Sequence, residues 1–189
     1  MIRQRGGPAG DRSVLVVLDV FSTFLFPGGD ALFSETAPVA DSIRELCARF
    51  RARHRPVIFA NDNFDRWEDD FDGMLARVAA SGDRGRRIVH ALRPQAGDYR
   101  ILKPRHSAFF ETPLPSLLAH LQVTDLVICG IATDSCVLAT VMDAHVRGLD
   151  SVVPVDTTAS QTSERTARTL LHLRDSCNVA TPHSGEVFS

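Results

Sequence analysis

Short apolar runs alternate along the chain with stretches of helical periodicity. The first run, Ser13-Val14-Leu15-Val16-Val17-Leu18-Asp19, is nearly continuous and β-branched, the pattern of a strand covered on both faces. Similar runs follow at 56–60, 99–102, 125–129 and 151–155, with a weaker one at 177–180, so six strands are predicted. Between them, apolar residues recur at helical spacing. Val39, Ile43, Leu46 and Phe50 share one face, as do Leu114, Leu117, Leu118 and Leu121. Val137, Val141, Ala144 and Val146, and then Ala167, Leu170, Leu171 and Leu173, repeat the pattern. Strands alternating with helices imply βαβ units with right-handed crossovers. The predicted fold is therefore a three-layer α/β/α sandwich on a six-stranded parallel sheet. Residues 61–93 break the rhythm, being acidic and then rich in Arg and Gly, with a short helical pattern only from Met74 to Ala79. Long connections of this kind usually shape a site. Residues 1–12 are polar and aperiodic and read as a tail, which leaves 13–189 as a single domain.

A chain of 189 residues, 44% hydrophobic and 23% charged, is long and apolar enough to bury one core, which excludes disorder for its body. The formal net charge of -2 carries no signature of nucleic-acid binding. No apolar run approaches the roughly 20 residues of a membrane span, and the N-terminus lacks the apolar core of a signal peptide, so a cytoplasmic protein without a membrane partner is expected. No G-x-G-x-x-G or G-x-x-x-x-G-K-[ST] phosphate loop is present; no cofactor and a small-molecule substrate are expected. Of 21 basic residues one is lysine, Lys103, and the other 20 are arginine.

In open parallel sheets ligands bind beyond the carboxyl ends of the strands, so polar residues that close a strand are the first candidates. Asp19 closes the first strand. Lys103 closes the third, where Pro104 stiffens the exit, and an ammonium is the compact point charge a tight site needs. Cys136 lies in a strand-to-helix turn, Gly130-Ile131-Ala132-Thr133-Asp134-Ser135-Cys136, where the first turn of a helix is expected to lower its pKa and favour thiolate. Cys47, Cys129 and Cys177 lack C-x-x-C spacing and read as core residues. Of the seven histidines, only His106 falls near these candidates, and a Cys-His dyad built on it is less economical than a nucleophile served by Asp19. Phe24, Phe64, Trp67, Phe109 and Phe110 fall near strand ends and can line an apolar slot. Glu68, Asp69, Asp70 and Asp72 read as a solvated face.

Three segments together resemble the isochorismatase-like cysteine hydrolases. They are Asp19 after the first strand, Lys103-Pro104-x-x-Ser107-x-Phe109 after the third, and Gly130-Ile131-Ala132-Thr133-x-x-Cys136-Val137 after the fourth, continued by Val153-Pro154-Val155-Asp156. The resemblance covers nearly the whole chain from Ser13. It implies strand order 3-2-1-4-5-6 and an Asp19-Lys103-Cys136 triad. Cys136 would attack a carbonyl, Asp19 would move the proton, and Lys103 would hold both anions in register. It also implies a cis peptide between Ile131 and Ala132, an oxyanion hole from the backbone N–H groups of Ala132 and Cys136, and a homodimer or homotetramer. Nicotinamidases of the family bind a metal through an Asp-x-His and a further His after the second strand. Here the segment reads Asn61-Asp62-Asn63-Phe64-Asp65-Arg66-Trp67, without histidine, so no metal is expected. Asn61, Asn63, Phe64 and Trp67 of this segment, with Phe24 and Phe109, are the expected pocket residues. The expected activity is cleavage of a C–N bond in a small amide, carbamoyl or ureido compound through a thioester. A nicotinamidase-like or isochorismatase-like activity, and a non-catalytic binding protein on the same scaffold, are the alternatives.

Overall fold

The computed structural model describes residues 12–189. All of the expected tail except Arg12 lies outside the described residues. The sheet grows outward from β1 (Ser13–Leu18), which pairs in parallel with β2 (Val57–Asp62) on one side and β4 (Asp125–Ile131) on the other. Val17 is in register with Phe59 and with Cys129. β3 (Tyr99–Lys103) flanks β2, and β5 (Asp150–Val152) flanks the first half of β4. A two-residue β6 (Thr158–Ala159) continues along the second half of β4. The order is thus β3-β2-β1-β4-β5, with β6 paired to β4, and every pairing is parallel.

Both faces of the sheet are covered, which is why its central strands read as unbroken apolar runs. Leu15 and Val17 of β1, Val57 and Phe59 of β2, and Val127 and Cys129 of β4 pack on one side. There they meet α1 (Gly29–Ala52), α2 (Phe71–Ala80) and α3 (Asp83–Leu92). Val14, Val16, Leu18, Ile58, Leu126 and Ile128 pack on the other side. α4 (Leu114–His120), α5 (Leu138–Val146) and α6 (Ser163–Cys177) contribute to that layer. The result is the expected three-layer sandwich. No helix among the described residues is long and apolar enough to cross a membrane.

Three local departures have physical causes. Residues 61–93 hold two helices, α2 and α3, where the pattern indicates one. Arg84, Arg86 and Arg87 surround the short apolar stripe Ile88, Val89 and Leu92 and obscure it. Gly85 lets α3 approach α2, since a Cβ there would lie 2.3 Å from the Val78 carbonyl oxygen. The acidic run beside them is used locally: Asp70 caps α2 by accepting from Gly73 N at 2.7 Å, and Asp69 pairs with Arg77 at 2.7 Å. At the sixth strand position, α6 runs through Cys177 and ends at Asn178, whose φ of 54° is a left-handed helix cap. Only Ala180 then bridges outward to Val152. β6 itself is polar. Its Thr158 is buried because the Oγ1 hydroxyl donates to Gly130 O at 2.8 Å and meets Thr133 Oγ1 at 2.8 Å.

Candidate active site

From β1 the chain crosses to β2 and β3 on one side and returns to β4 and β5 on the other, so the topological switch lies between β1 and β4. Such a crevice at the carboxyl ends is where open sheets bind ligands. Asp19 follows β1, Lys103 closes β3, and Cys136 lies in a π-type turn (Thr133–Val137) after β4. The fold brings all three together. Lys103 Nζ is 2.7 Å from Asp19 Oδ2 and 3.7 Å from Cys136 Sγ, and it donates to Arg105 O at 2.9 Å. Asp19 Oδ1 accepts from Asp62 N at 2.6 Å, and the Cys136 thiol lies close enough to the Asp19 carboxylate for the two to perturb each other's ionisation.

Backbone shape aims these groups. Asp19 has φ 52°, in the left-handed region, and its own N–H donates to Ala60 O at 3.1 Å. Phe64 and Asp65, in the loop after β2, have φ 54° and 57°. Non-glycine residues held there concentrate at functional loops. Gly130 (φ 112°) allows β4 to close on β1, because a Cβ would meet Leu18 O at 2.0 Å. The Ile131–Ala132 peptide is cis, as the resemblance implies.

Burial sets the electrostatics. It raises the Asp19 pKa above the ordinary carboxylate value, against the Lys103 charge and the hydrogen bonds from Cys136 and Asp62. For Lys103, burial alone would lower the pKa. The Asp19 charge overrides it, so the ammonium is held above its ordinary value. The Cys136 thiol is pushed up to about 12, by burial first and then by the Asp19 charge, against the Lys103 charge. This corrects the expectation of a helix-activated thiolate. Cys136 rests as a neutral thiol beside a carboxyl group of raised pKa, because desolvation and the adjacent anion outweigh the pull of the turn.

Asp19 and Cys136 line a cleft of about 660 Å³. Phe64, about one-third exposed, lines it. The other expected pocket residues are placed elsewhere. Phe24 is buried in the core edge-on to Phe33, with centroids 5.2 Å apart. Phe109 is buried in the opposite layer beneath Arg147, and Trp67 stands on the surface without lining the cleft. Phe110, also exposed, does not line it either. Asn61 is buried and clamps the loop after β1, accepting from Phe21 N at 3.0 Å and donating to Phe21 O at 3.1 Å. Asn63 is likewise buried, and its Oδ1 accepts from Asp65 N at 3.0 Å. Both asparagines shape the walls from behind. His106 lines the cleft, while the groups acting on the Cys136 thiol are Asp19, Lys103 and Ser135. The lining also includes Phe26, Gln161 and Arg165, none of which the sequence pattern singles out. The last two follow β6, a strand too short and polar to give a signal.

The donor set after β2 does not fit a metal. Asp62 Oδ1 is taken by Phe64 N at 2.6 Å, Phe64 has no ligating atom, and among the described residues no three His, Cys, Asp or Glu side chains converge.

Comparison with known proteins agrees with this geometry. The family model for the isochorismatase domain matches residues 13–184. YaaI of Bacillus subtilis (strain 168), named as an uncharacterized isochorismatase family protein, is 34% identical over 154 residues, spanning 82% of this chain and 83% of that protein. The ureidoacrylate amidohydrolase RutB of Serratia proteamaculans (strain 568) is 31% identical over 175 residues, spanning 79% of this chain and 71% of the relative. The crystal structure of the nicotinamidase PncA from Bacillus subtilis is similar with a TM-score of 0.71 at 26% identity, covering 91% of this chain and 99% of that one. With the family model spanning nearly every described residue, and an acid, a lysine and a cysteine gathered at the topological switch of the matching fold, this chain belongs to the isochorismatase family of hydrolases.

Proposed function

We propose that the chain is a metal-independent cysteine amidohydrolase that cleaves the C–N bond of a small amide, carbamoyl or ureido compound through a thioester at Cys136. The observation that carries this reading is the fully buried Lys103 ammonium, 2.7 Å from Asp19 and 3.7 Å from the Cys136 sulfur. A thiol kept neutral by its surroundings needs a base in contact, and Asp19 is that base. As Asp19 takes the Sγ–H proton, sulfur attacks the substrate carbonyl carbon. Negative charge moves from carboxylate to carbonyl oxygen beside a cation that stays in place. The N–H groups of Ala132 and Cys136 receive the oxyanion. Collapse breaks the C–N bond, Asp19 returns its proton to the leaving amine, and a thioester remains, or a thiocarbamate when a ureido carbon is attacked. Water then gives a proton to Asp19 and adds to the acyl carbon. The C–S bond breaks, the acid leaves, and the sulfur recovers its proton.

Similarity to a ureidoacrylate amidohydrolase and to a nicotinamidase supports C–N rather than C–O chemistry. The test is trapping. The protein is incubated with a panel of small amides and ureido compounds, quenched in acid, and analysed by intact mass and peptide mapping. An acyl adduct on Cys136, absent in Cys136→Ala, is expected. Wild-type turnover by Cys136→Ala would overturn the proposal.

A further inference from the structure

We propose that the cleft is read from both ends and selects a short acid carrying a terminal ureido or carbamoyl group, with Arg165 as the specificity residue for its carboxylate. This rests on the amidohydrolase reading above. Along the carboxyl edge of the sheet the elements run β2, β1, β4, β6. They deliver, in order, Asp62, Asp19, the Cys136 turn and, where α6 begins, Arg165. Asp62 comes from the β2 side of Asp19 and Cys136, and Arg165 from the start of α6 beyond β6, on the other side. Both line the same cleft. A cleft of about 660 Å³ lined by both side chains suits a short substrate.

The two ends differ in what they offer. Arg165 Nε and one terminal nitrogen are held on Asp134 Oδ2 at 2.6 Å, and the other terminal nitrogen donates to Gln161 Oε1 at 2.5 Å. Asp134 is itself fixed by Ser160 Oγ at 2.7 Å. Three of the five guanidinium N–H groups are thus occupied and lock the plane, and two have no acceptor among the described residues. A pre-oriented guanidinium with free donors suits a carboxylate. At the other end, one Asp62 oxygen accepts from Phe64 N and the other has no hydrogen-bond partner among the described residues, with Asp65 alongside. Carboxylates accept only. They repel an anionic substrate group and bind the donor-rich N–H edge of a ureido or carbamoyl group. Phe64 and Phe26, both partly exposed, supply apolar walls. One orientation satisfies both ends, and it sets the reactive carbonyl between them, at Cys136.

The experiment compares 3-ureidopropionate with propylurea, its partner lacking the carboxylate, on the full chain. Wild type is expected to favour the acid in kcat/KM by on the order of 30-fold, as a charge-assisted pair supplies. In Arg165→Gln that ratio should fall toward one, chiefly through KM, with Arg165→Lys between. A purely structural role for Arg165 would slow both compounds alike and leave the ratio at its wild-type value, which overturns the proposal. A wild-type ratio of one or less overturns it without any variant. Calorimetry on Cys136→Ala makes the same comparison by binding. Tighter binding of the acid without turnover in the wild type retires the thioester reading and keeps this one, whereas equal or weaker binding of the acid retires this one.

Discussion

Lys103 Nζ lies 2.7 Å from Asp19 Oδ2, inside the protein, and it is the only lysine among 21 basic residues. The chain uses arginine elsewhere, so the site selects an ammonium for shape. A compact cation fits between carboxylate, sulfur and the Arg105 carbonyl, where a planar fork needs more room.

Lys103→Arg should therefore fold yet lose turnover by on the order of 100-fold, because widening the slot moves Asp19 and Cys136 out of line by about an ångström. Lys103→Met should cost about 3 kcal/mol or more in denaturant unfolding, since it leaves the Asp19 carboxylate buried and unpaired. Wild-type activity in Lys103→Arg would remove Lys103 from the site.

The pH dependence follows from the Cys136 thiol, raised from 9.0 to about 12. In the free protein the thiolate fraction climbs about tenfold per pH unit throughout the neutral range. Iodoacetamide alkylation of Cys136, followed by peptide mapping, should rise about 100-fold from pH 7 to pH 9 without a plateau. Stability carries the matching sign. Between 9.0 and about 12 the unfolded thiol gives up its proton while the native one keeps it, so this contribution is present below pH 9 and is lost as pH rises. Wild type should lose more melting temperature than Cys136→Ala between pH 8 and pH 11. An alkylation plateau by pH 8 would contradict both statements.

Gly130→Ala should be among the most damaging single-methyl additions in the sheet. The new Cβ would lie 2.0 Å from Leu18 O and 2.6 Å from Leu18 N, backbone atoms of the central strand, at a φ of 112°. Strain and overpacking together predict a loss of about 3 kcal/mol, or roughly 10 °C in melting temperature. Calorimetry on the purified variant checks this, and a loss below about 1 kcal/mol would refute it.

Chelation should leave turnover and melting temperature unchanged, because among the described residues no three His, Cys, Asp or Glu side chains converge and the segment after β2 carries no histidine. Elemental analysis finding stoichiometric zinc or iron lost together with activity in Asp62→Asn would reverse this prediction.

Periodicity in the sequence was enough to determine the layered fold, because strands buried on both faces must be apolar at every position and helices covering them must be apolar on one stripe. The three residues that meet at the strand ends, Asp19, Lys103 and Cys136, were also legible. Each is a polar group closing an apolar run, and such interruptions of a buried pattern need a reason. What the sequence lacked was distance. It does not distinguish a phenylalanine near a strand end that lines a cleft, as Phe64 does, from one that turns into the core, as Phe24 and Phe109 do, since both are equally apolar. Nor did it reveal Arg165, which reaches the site through the polar two-residue β6 and an ion pair with Asp134. The protonation of Cys136 was decided by tertiary structure alone. A helix start lowers a thiol pKa in isolation, but burial against the Asp19 carboxylate, two strands of packing away in the chain and in contact in space, reverses the sign.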